Sequence, residues 1–290
     1  MDRFSKVLGH RYCFDKFFLN GSRFCVGLFV GAFFFLFSLA PSKPLSLLKD
    51  WKNRKSEVLE YEVLQKVGGH TIKTQSTFVT RLQYLDDKTK KLFSQKRRGT
   101  KAVLVATHLF GYEQNEIHHT GMIKLRFSRS QSMSLQEEQI FWMDWREQPW
   151  RLWVKQKGQY QLEVRSQREG HKKFQVKESL LVTSEELFYW VRNLDLSKSY
   201  RKDIQLMGSF LSVPITPEVM TAEVTVKKEL VKVMGREAVH VVIKRLSDGR
   251  VYQFWVSPKG MHHVIQARWV DGSFYQLFNV EWRESEFQLF

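Results

Sequence analysis

Cysteine is almost missing from this chain. There are two, Cys13 and Cys25, and none beyond residue 25. That excludes a disulfide framework, a thiolate zinc site and a cysteine nucleophile from all the sequence that follows. Proline is scarce at 6 residues and glycine numbers 16, so the chain is neither collagen-like nor a low-complexity tail. No G-x-S-x-G nucleophile elbow and no glycine-rich phosphate loop occurs, which removes common signatures of serine hydrolases and nucleotide-binding enzymes. Long hydrophobic runs are few: one stretch, residues 24–42, lacks charge altogether, and a mean hydropathy of −0.37 excludes a polytopic membrane protein. Acid is the minority charge. Against 30 Asp and Glu stand 46 Lys and Arg, a net +16, so a partner met by diffusion is more readily anionic than cationic.

What is present begins with that uncharged stretch. Residues 24–42 are rich in Phe, Leu, Val and Gly, are bracketed by Arg23 and Lys43, and follow a segment with more basic residues than acids. A basic flank on an apolar run keeps the N-terminus cytoplasmic and sends the remainder across a membrane. Its length lies between the apolar core of a signal peptide and the ~20 residues of a spanning helix, so residues 1–42 read as a signal peptide or an uncleaved signal anchor. Ser38 with Ala40, or Ala40 with Ser42, supply the small residues a cut needs, and Pro41 disfavours the first register. Residues 43–290 are then expected to be one exported β-rich domain, or two half-sheets over 43–178 and 179–290. It would be periplasmic, either soluble or tethered to the inner membrane by residues 24–42.

Alternation of apolar and polar residues at period two predicts strands over 58–67, 100–110, 122–127, 152–156, 160–165 and 222–226. Four more follow in succession over 239–244, 251–256, 264–270 and 274–282. Lys157-Gly158, Asp248-Gly249, Pro258-Lys259-Gly260 and Asp271-Gly272 punctuate these runs with the positive φ that tight hairpins require. Connections this short leave no room for crossover helices, so the sheet should be mainly antiparallel. One helix is expected over 184–193. Thr183, followed three residues later by Glu186, makes a capping-box signature, and Leu187, Trp190, Val191 and Leu194 recur at helical spacing as a face that packs on the sheet. Residues 211–217, with Pro214 and Pro217, are expected to connect rather than to pair. The fold expected is mainly β: a curved antiparallel sheet or open barrel of meander topology, with one packed helix near 184–194 and an N-terminal hydrophobic leader helix.

Residues 179–282 resemble a bacterial family of exported proteins known as domain of unknown function 3108. The likeness rests on Ser184-Glu185-Glu186-Leu187-Phe188-Tyr189-Trp190-Val191-Arg192-Asn193-Leu194, on Val231-Lys232-Val233-Met234-Gly235-Arg236-Glu237 and on Phe254-Trp255-Val256-Ser257-Pro258-Lys259-Gly260. The chain departs from the family where Ala238 to Arg245 continue as strand and where Met261-His262-His263 end the hairpin. The resemblance implies an exported β-rich domain around a helix and carries no catalytic residues.

Three constellations invite a functional reading. Residues 88–101 hold seven basic residues and no acid: Lys88, Lys90, Lys91, Lys96, Arg97, Arg98 and Lys101. On an exported protein such a loop suggests contact with lipid head groups. Four of the nine Trp, namely Trp142, Trp145, Trp150 and Trp153, fall in one short stretch, either as cross-strand stacking or as the lining of a ligand site. His118-His119 with Glu116, and His262-His263, are the paired imidazoles. Adjacent strand residues face opposite ways, so neither pair chelates one metal without a bend, and no metal or cofactor is expected. The carboxylate pairs Glu137-Glu138 and Glu185-Glu186 read as solvated or capping. The function expected is a non-enzymatic cell-envelope protein that binds a lipid, another amphipathic anionic component or a protein partner, with no nucleic acid. The alternative is a hydrolase of envelope polymers using Glu116, His118 and His119.

Overall fold

The computed structural model describes residues 56–67, 70–114, 117–128, 135–142, 147–156, 159–166, 170–177, 181–208 and 218–283, with backbone alone at 67, 112–114, 117–119, 142, 147–156, 165–166 and 176–177. The leader, the Lys157-Gly158 turn and residues 211–217 lie outside them. The described core belongs wholly to the compact unit Pro41–Phe290, so that unit carries its own hydrophobic interior. Its strands are β1 (Ser56–Val67), β2 (His70–Asp86), β3 (Leu92–Phe93), β4 (Thr100–Gln114), β5 (Ile117–Ser128), β6 (Leu135–Trp142), β7 (Glu147–Gln156), β8 (Gln159–Ser166) and β9 (Gly170–Lys177). They continue as β10 (Leu181–Thr183), β11 (Tyr200–Met207), β12 (Val219–Val233), β13 (Arg236–Arg245), β14 (Val251–Val256), β15 (Val264–Arg268) and β16 (Phe274–Arg283).

All sixteen strands belong to one sheet that is not closed, with the order β10-β11-β12-β13-β14-β15-β16-β1-β2-β4-β5-β6-β7-β8-β9 and β3 paired to β2. Chain neighbours are sheet neighbours in both runs, as short turns dictate, but the order is not a simple meander. The first strand pairs with the last, Ser56 opposite Arg283, and the sequence neighbours β9 and β10 become its two ends. Every pairing is antiparallel except β10 with β11, so the sheet is mixed. The helical segment between those two strands makes that exception possible, because parallel neighbours need a crossover.

That crossover is shorter than the sequence suggested. Residues Leu187–Trp190 form the α-helix α1, and Val191–Asn193 tighten into a 3₁₀ turn. Half of the expected capping box is present: Glu186 N–H donates to Thr183 Oγ1 at 3.3 Å. The Glu186 carboxylate makes no cap. Leu187, Val191 and Leu194 are buried, as the helical stripe required, and Trp190 packs against the core at its edge.

The aromatic contacts of α1 fix the curvature of the sheet. Phe188 meets Phe78 of β2 at 4.6 Å between ring centroids, Tyr61 of β1 at 5.3 Å, Tyr275 of β16 at 5.2 Å and Phe254 of β14 at 5.8 Å. Its neighbour Tyr189 meets Phe127 of β5 at 5.5 Å. On a flat sheet, six steps of about 4.8 Å would hold β14 and β5 nearly 30 Å apart. Two adjacent residues touch both, so the sheet curls around the helix.

Gly121 of β5 lies opposite Phe110 of β4, and a Cβ placed there would sit 2.3 Å from the Phe110 ring. The ring fills the space a side chain would need. We expect Gly121→Val to displace Phe110 and lower stability by roughly 1–3 kcal/mol in chemical denaturation, an overpacking cost. Gly121→Val with Phe110→Ala should recover part of the loss.

Candidate functional site

The β2–β4 connection carries the basic run, and it is built rather than loose. Asp86 Oδ1 accepts the N–H groups of Lys88 and Thr89 at 2.8 and 2.9 Å, which turns the chain back so that β3 pairs with β2 through Leu85 and Leu92. Leu85, Leu92, Val103 and Val105 form a small apolar cluster of their own beneath it. A second turn closes at Thr100, whose hydroxyl donates to the Arg97 carbonyl at 2.7 Å while accepting Arg97 N–H at 3.1 Å. All seven basic residues are exposed. Lys101 pairs with Asp87 at 2.7 Å, and the Arg97 guanidinium lies 4.0 Å over the Phe93 ring. Lys88, Lys90, Lys91, Lys96 and Arg98 make no ion pair among the described residues. The result is an ordered basic knob.

Following the antiparallel register across the sheet, this knob shares one end of the strands with Ser56 at the start of β1, the β12–β13 turn and the β14–β15 turn. A cleft of about 260 Å³ opens there, lined by Arg236, Glu237, Ser257, Pro258, Lys259, His263 and Ile265. Lys259 is held by Glu237 at 3.1 Å. His263 reaches inward from the cleft, and its Nε2–H donates to Glu57 Oε1 at 2.8 Å.

Behind it lies a charge cluster that the sequence did not announce. The Arg192 guanidinium clamps Glu57 with two parallel bonds, Nη1 to Oε2 and Nη2 to Oε1, both 2.9 Å, and its Nε–H donates to the Met261 carbonyl at 3.1 Å. Arg192 and Glu57 are both buried. Burial alone would raise the Glu57 carboxyl, but Arg192 and the His263 hydrogen bond outweigh it and hold the group down at about 2. His262, at φ 50°, supplies the bend that adjacent strand histidines lack. Its Nδ1–H donates to the Arg192 carbonyl at 3.2 Å, so one imidazole holds the backbone of Arg192 and the other holds the carboxylate that Arg192 clamps.

The carboxylate pairs, expected to be solvated or capping, are buried, all four of them. Glu138 Oε2 accepts the Thr183 hydroxyl at 2.5 Å, joining β6 to β10 across the interior. Glu137 pairs with Arg126 at 2.8 Å, and Glu185 accepts the Ser184 hydroxyl at 2.9 Å. Glu186 Oε2 is buried without a hydrogen-bond partner among the described residues. Burial pushes that carboxyl up to about 8, against a backbone hydrogen bond at Thr183, with Glu185 adding to the rise. The reasons differ: Glu138, on the inner face of β6 beside Leu125, and Glu185 with Glu186, at the entry to α1, stand inside the curled sheet, whereas Glu137 points to the opposite face of β6 and is covered there by Arg126.

The tryptophan and histidine constellations are placed only by register. Trp150 lies opposite Ile140, Trp153 opposite Glu137 and Trp142 opposite Glu147, while Trp145 lies outside the described residues. His118 and His119 oppose Glu113 and Tyr112 of β4, and Glu116 lies outside. Among the described residues no group of three or more His, Cys, Asp or Glu is arranged to hold a metal ion, and no helix is long and apolar enough to cross a membrane.

No protein-family model matches the chain, and no curated protein matches it. Among solved structures, the chain is similar to a β-barrel-like protein of domain of unknown function DUF1849 from Brucella abortus. That likeness has 7% identity over 80% of this chain and 99% of that one, with a TM-score of 0.44. A DUF1089 family protein from Pseudomonas aeruginosa is similar at 14% identity over 65% of this chain and 87% of that one, with a TM-score of 0.37.

Proposed function

We propose that this chain is a non-enzymatic protein of a bacterial cell envelope, an open barrel that docks on anionic lipid head groups through the knob at residues 88–101. One observation carries the reading: the cations stand on a braced turn, exposed, most of them without a counter-ion. Flexible lysines on a solvated face lose side-chain entropy when a surface fixes them. A knob anchored by Leu85, Leu92, Val103 and Val105 presents its charges with the backbone already ordered. The uncharged stretch at 24–42 and the likeness of residues 179–282 to an exported family point to the same compartment.

The test uses residues 43–290 and vesicles of phosphatidylcholine with and without phosphatidylglycerol. Wild type should sediment with the anionic vesicles alone, and less so as salt rises. Changing Lys88, Lys90, Lys91, Lys96, Arg97 and Arg98 to Gln should weaken that partitioning by more than about tenfold, since each cation near an anionic surface contributes on the order of 1 kcal/mol. Equal binding by the variant would remove the knob from the proposal.

A further inference from the structure

Near the knob, one hairpin outgrows the sheet. The pairing of β12 with β11 ends at Val226, and β13 meets β14 only from Val239 onward. Residues 227–238 are therefore a two-stranded ribbon that projects beyond both neighbours. Up to Val226 the burial of β12 alternates, and from Lys227 to Lys232 every residue is exposed. The ribbon has a firm base, where Lys228 N–H donates to Ser199 Oγ at 3.0 Å. Its tip is a tight turn with Met234 at φ 52° and Gly235 at φ 74°, the two positive angles of a turn that ordinarily takes Asn, Asp or Gly first. A methionine holds that place and is 46% exposed.

Leu230 and Val231 stand with it, at 53% and 39% exposed, so three of the five large exposed hydrophobics among the described residues fall within five positions of chain. Single exposed apolar side chains need no explanation, but three along one projecting ribbon do, with Met234 at the tip and Val231 and Leu230 opposite Ala238 and Val239 toward its base. Lys227, Lys228, Lys232 and Arg236 surround them and make no ion pair among the described residues. Of the two acids present, Glu237 is already engaged by Lys259.

We propose that this ribbon is a membrane-contact finger: Leu230, Val231 and Met234 enter the boundary of an anionic bilayer while Lys227, Lys228, Lys232 and Arg236 meet its head groups. A ribbon that interleaves apolar side chains with cations, Lys232 and Arg236 standing between Met234 and Val231, has the chemistry that suits an interface with anionic lipid. The position agrees, because the ribbon leaves the same end of the sheet as the knob and as Ser56. The inference rests on the anionic-surface reading above and adds an apolar contact to it.

Residues 43–290 contain no cysteine, so one can be introduced as a unique label site. Met234→Cys carrying an NBD fluorophore is compared with Leu246→Cys, a residue 53% exposed at the far end of β13. On phosphatidylglycerol-containing vesicles the label at 234 should shift to the blue and be quenched by nitroxide lipids, and the label at 246 should do neither. Changing Leu230, Val231 and Met234 to Ser should weaken partitioning about tenfold, the apolar contribution being lost. Vesicle-bound protein whose label at 234 stays aqueous overturns the finger and leaves the knob standing. A blue shift without lipid quenching, as a protein or self-contact would give, also overturns it. Insertion that survives neutralisation of the knob supports the finger against the knob, and no vesicle binding at all overturns both.

Discussion

Arg192→Ala is expected to lower the unfolding free energy by about 3–5 kcal/mol, the cost of leaving a buried charge without its partner. The residue abandoned is Glu57, which is wholly buried and whose oxygens accept two guanidinium bonds and one from His263. Shut away from bulk solvent, the carboxylate must then either stay ionised without its arginine or take up a proton. The loss extends beyond the pair. Arg192 lies in the 3₁₀ turn, Glu57 begins β1, and Met261 with His262 and His263 forms the β14–β15 turn, so one side chain fixes three distant segments. Arg192→Lys should not rescue, since an ammonium cannot make the paired bonds or reach the Met261 carbonyl in the same plane. The decisive comparison is the double variant Glu57→Leu with Arg192→Met. Replacing both charges with apolar groups should cost much less than removing one, and urea midpoints for the set of four proteins would show it. A double variant as unstable as Arg192→Ala would mean that shape, rather than charge pairing, holds the three segments together.

The same cluster shows where sequence reading reached and where it stopped. Strands with alternating apolar faces were legible, the best of them to the residue: 251–256 is β14 as expected, and 239–244 and 274–282 lie within β13 and β16, whereas 222–226 and 122–127 caught only parts of β12 and β5. The 17-residue β2 was not, although it is the longest strand. Its inner positions include Ser76 and Thr80, both buried, and Ser76 meets His108 Nε2 at 3.2 Å, so hydroxyls stand where the pattern asks for hydrocarbon. β6 escaped for a related reason, since it buries Glu138 to hold Thr183. Polar groups on an inward face break the period-two signal, and they are also the groups that bind the interior to α1. The basic run could be read because charge on a loop needs no partner to be recognised. The Arg192–Glu57 pair could not, because its members are 135 residues apart and only the closure of β1 onto β16 brings them together. For the ribbon the signal was available: Leu230, Val231 and Met234 interrupt a lysine-rich stretch beside Met234-Gly235, a turn with an apolar first residue.

Glu186 should make the protein less stable as pH rises through neutrality, opposite to the behaviour of Glu57. In the folded chain the Glu186 carboxyl is raised from 4.5 to about 8, so between those values the native state keeps a proton that the unfolded state has released. Stability attributable to this group is therefore full below about pH 4.5, falls as pH rises to about 8, and levels off above. Glu57 is lowered to about 2; its contribution is present above pH 4.5 and is lost as acid approaches its folded value. The two windows meet near pH 4.5, which is where their combined contribution peaks. Glu186→Gln carries no titrating proton, so it should flatten the alkaline slope and exceed wild type at pH 7 by on the order of 3 kcal/mol, because each pH step of one above 4.5 costs wild type about 1.4 kcal/mol. Urea unfolding of both proteins at pH 5, 7 and 8.5 checks this, with near equality expected at pH 5. A slope that persists in Glu186→Gln would mean that Glu186 is not its origin.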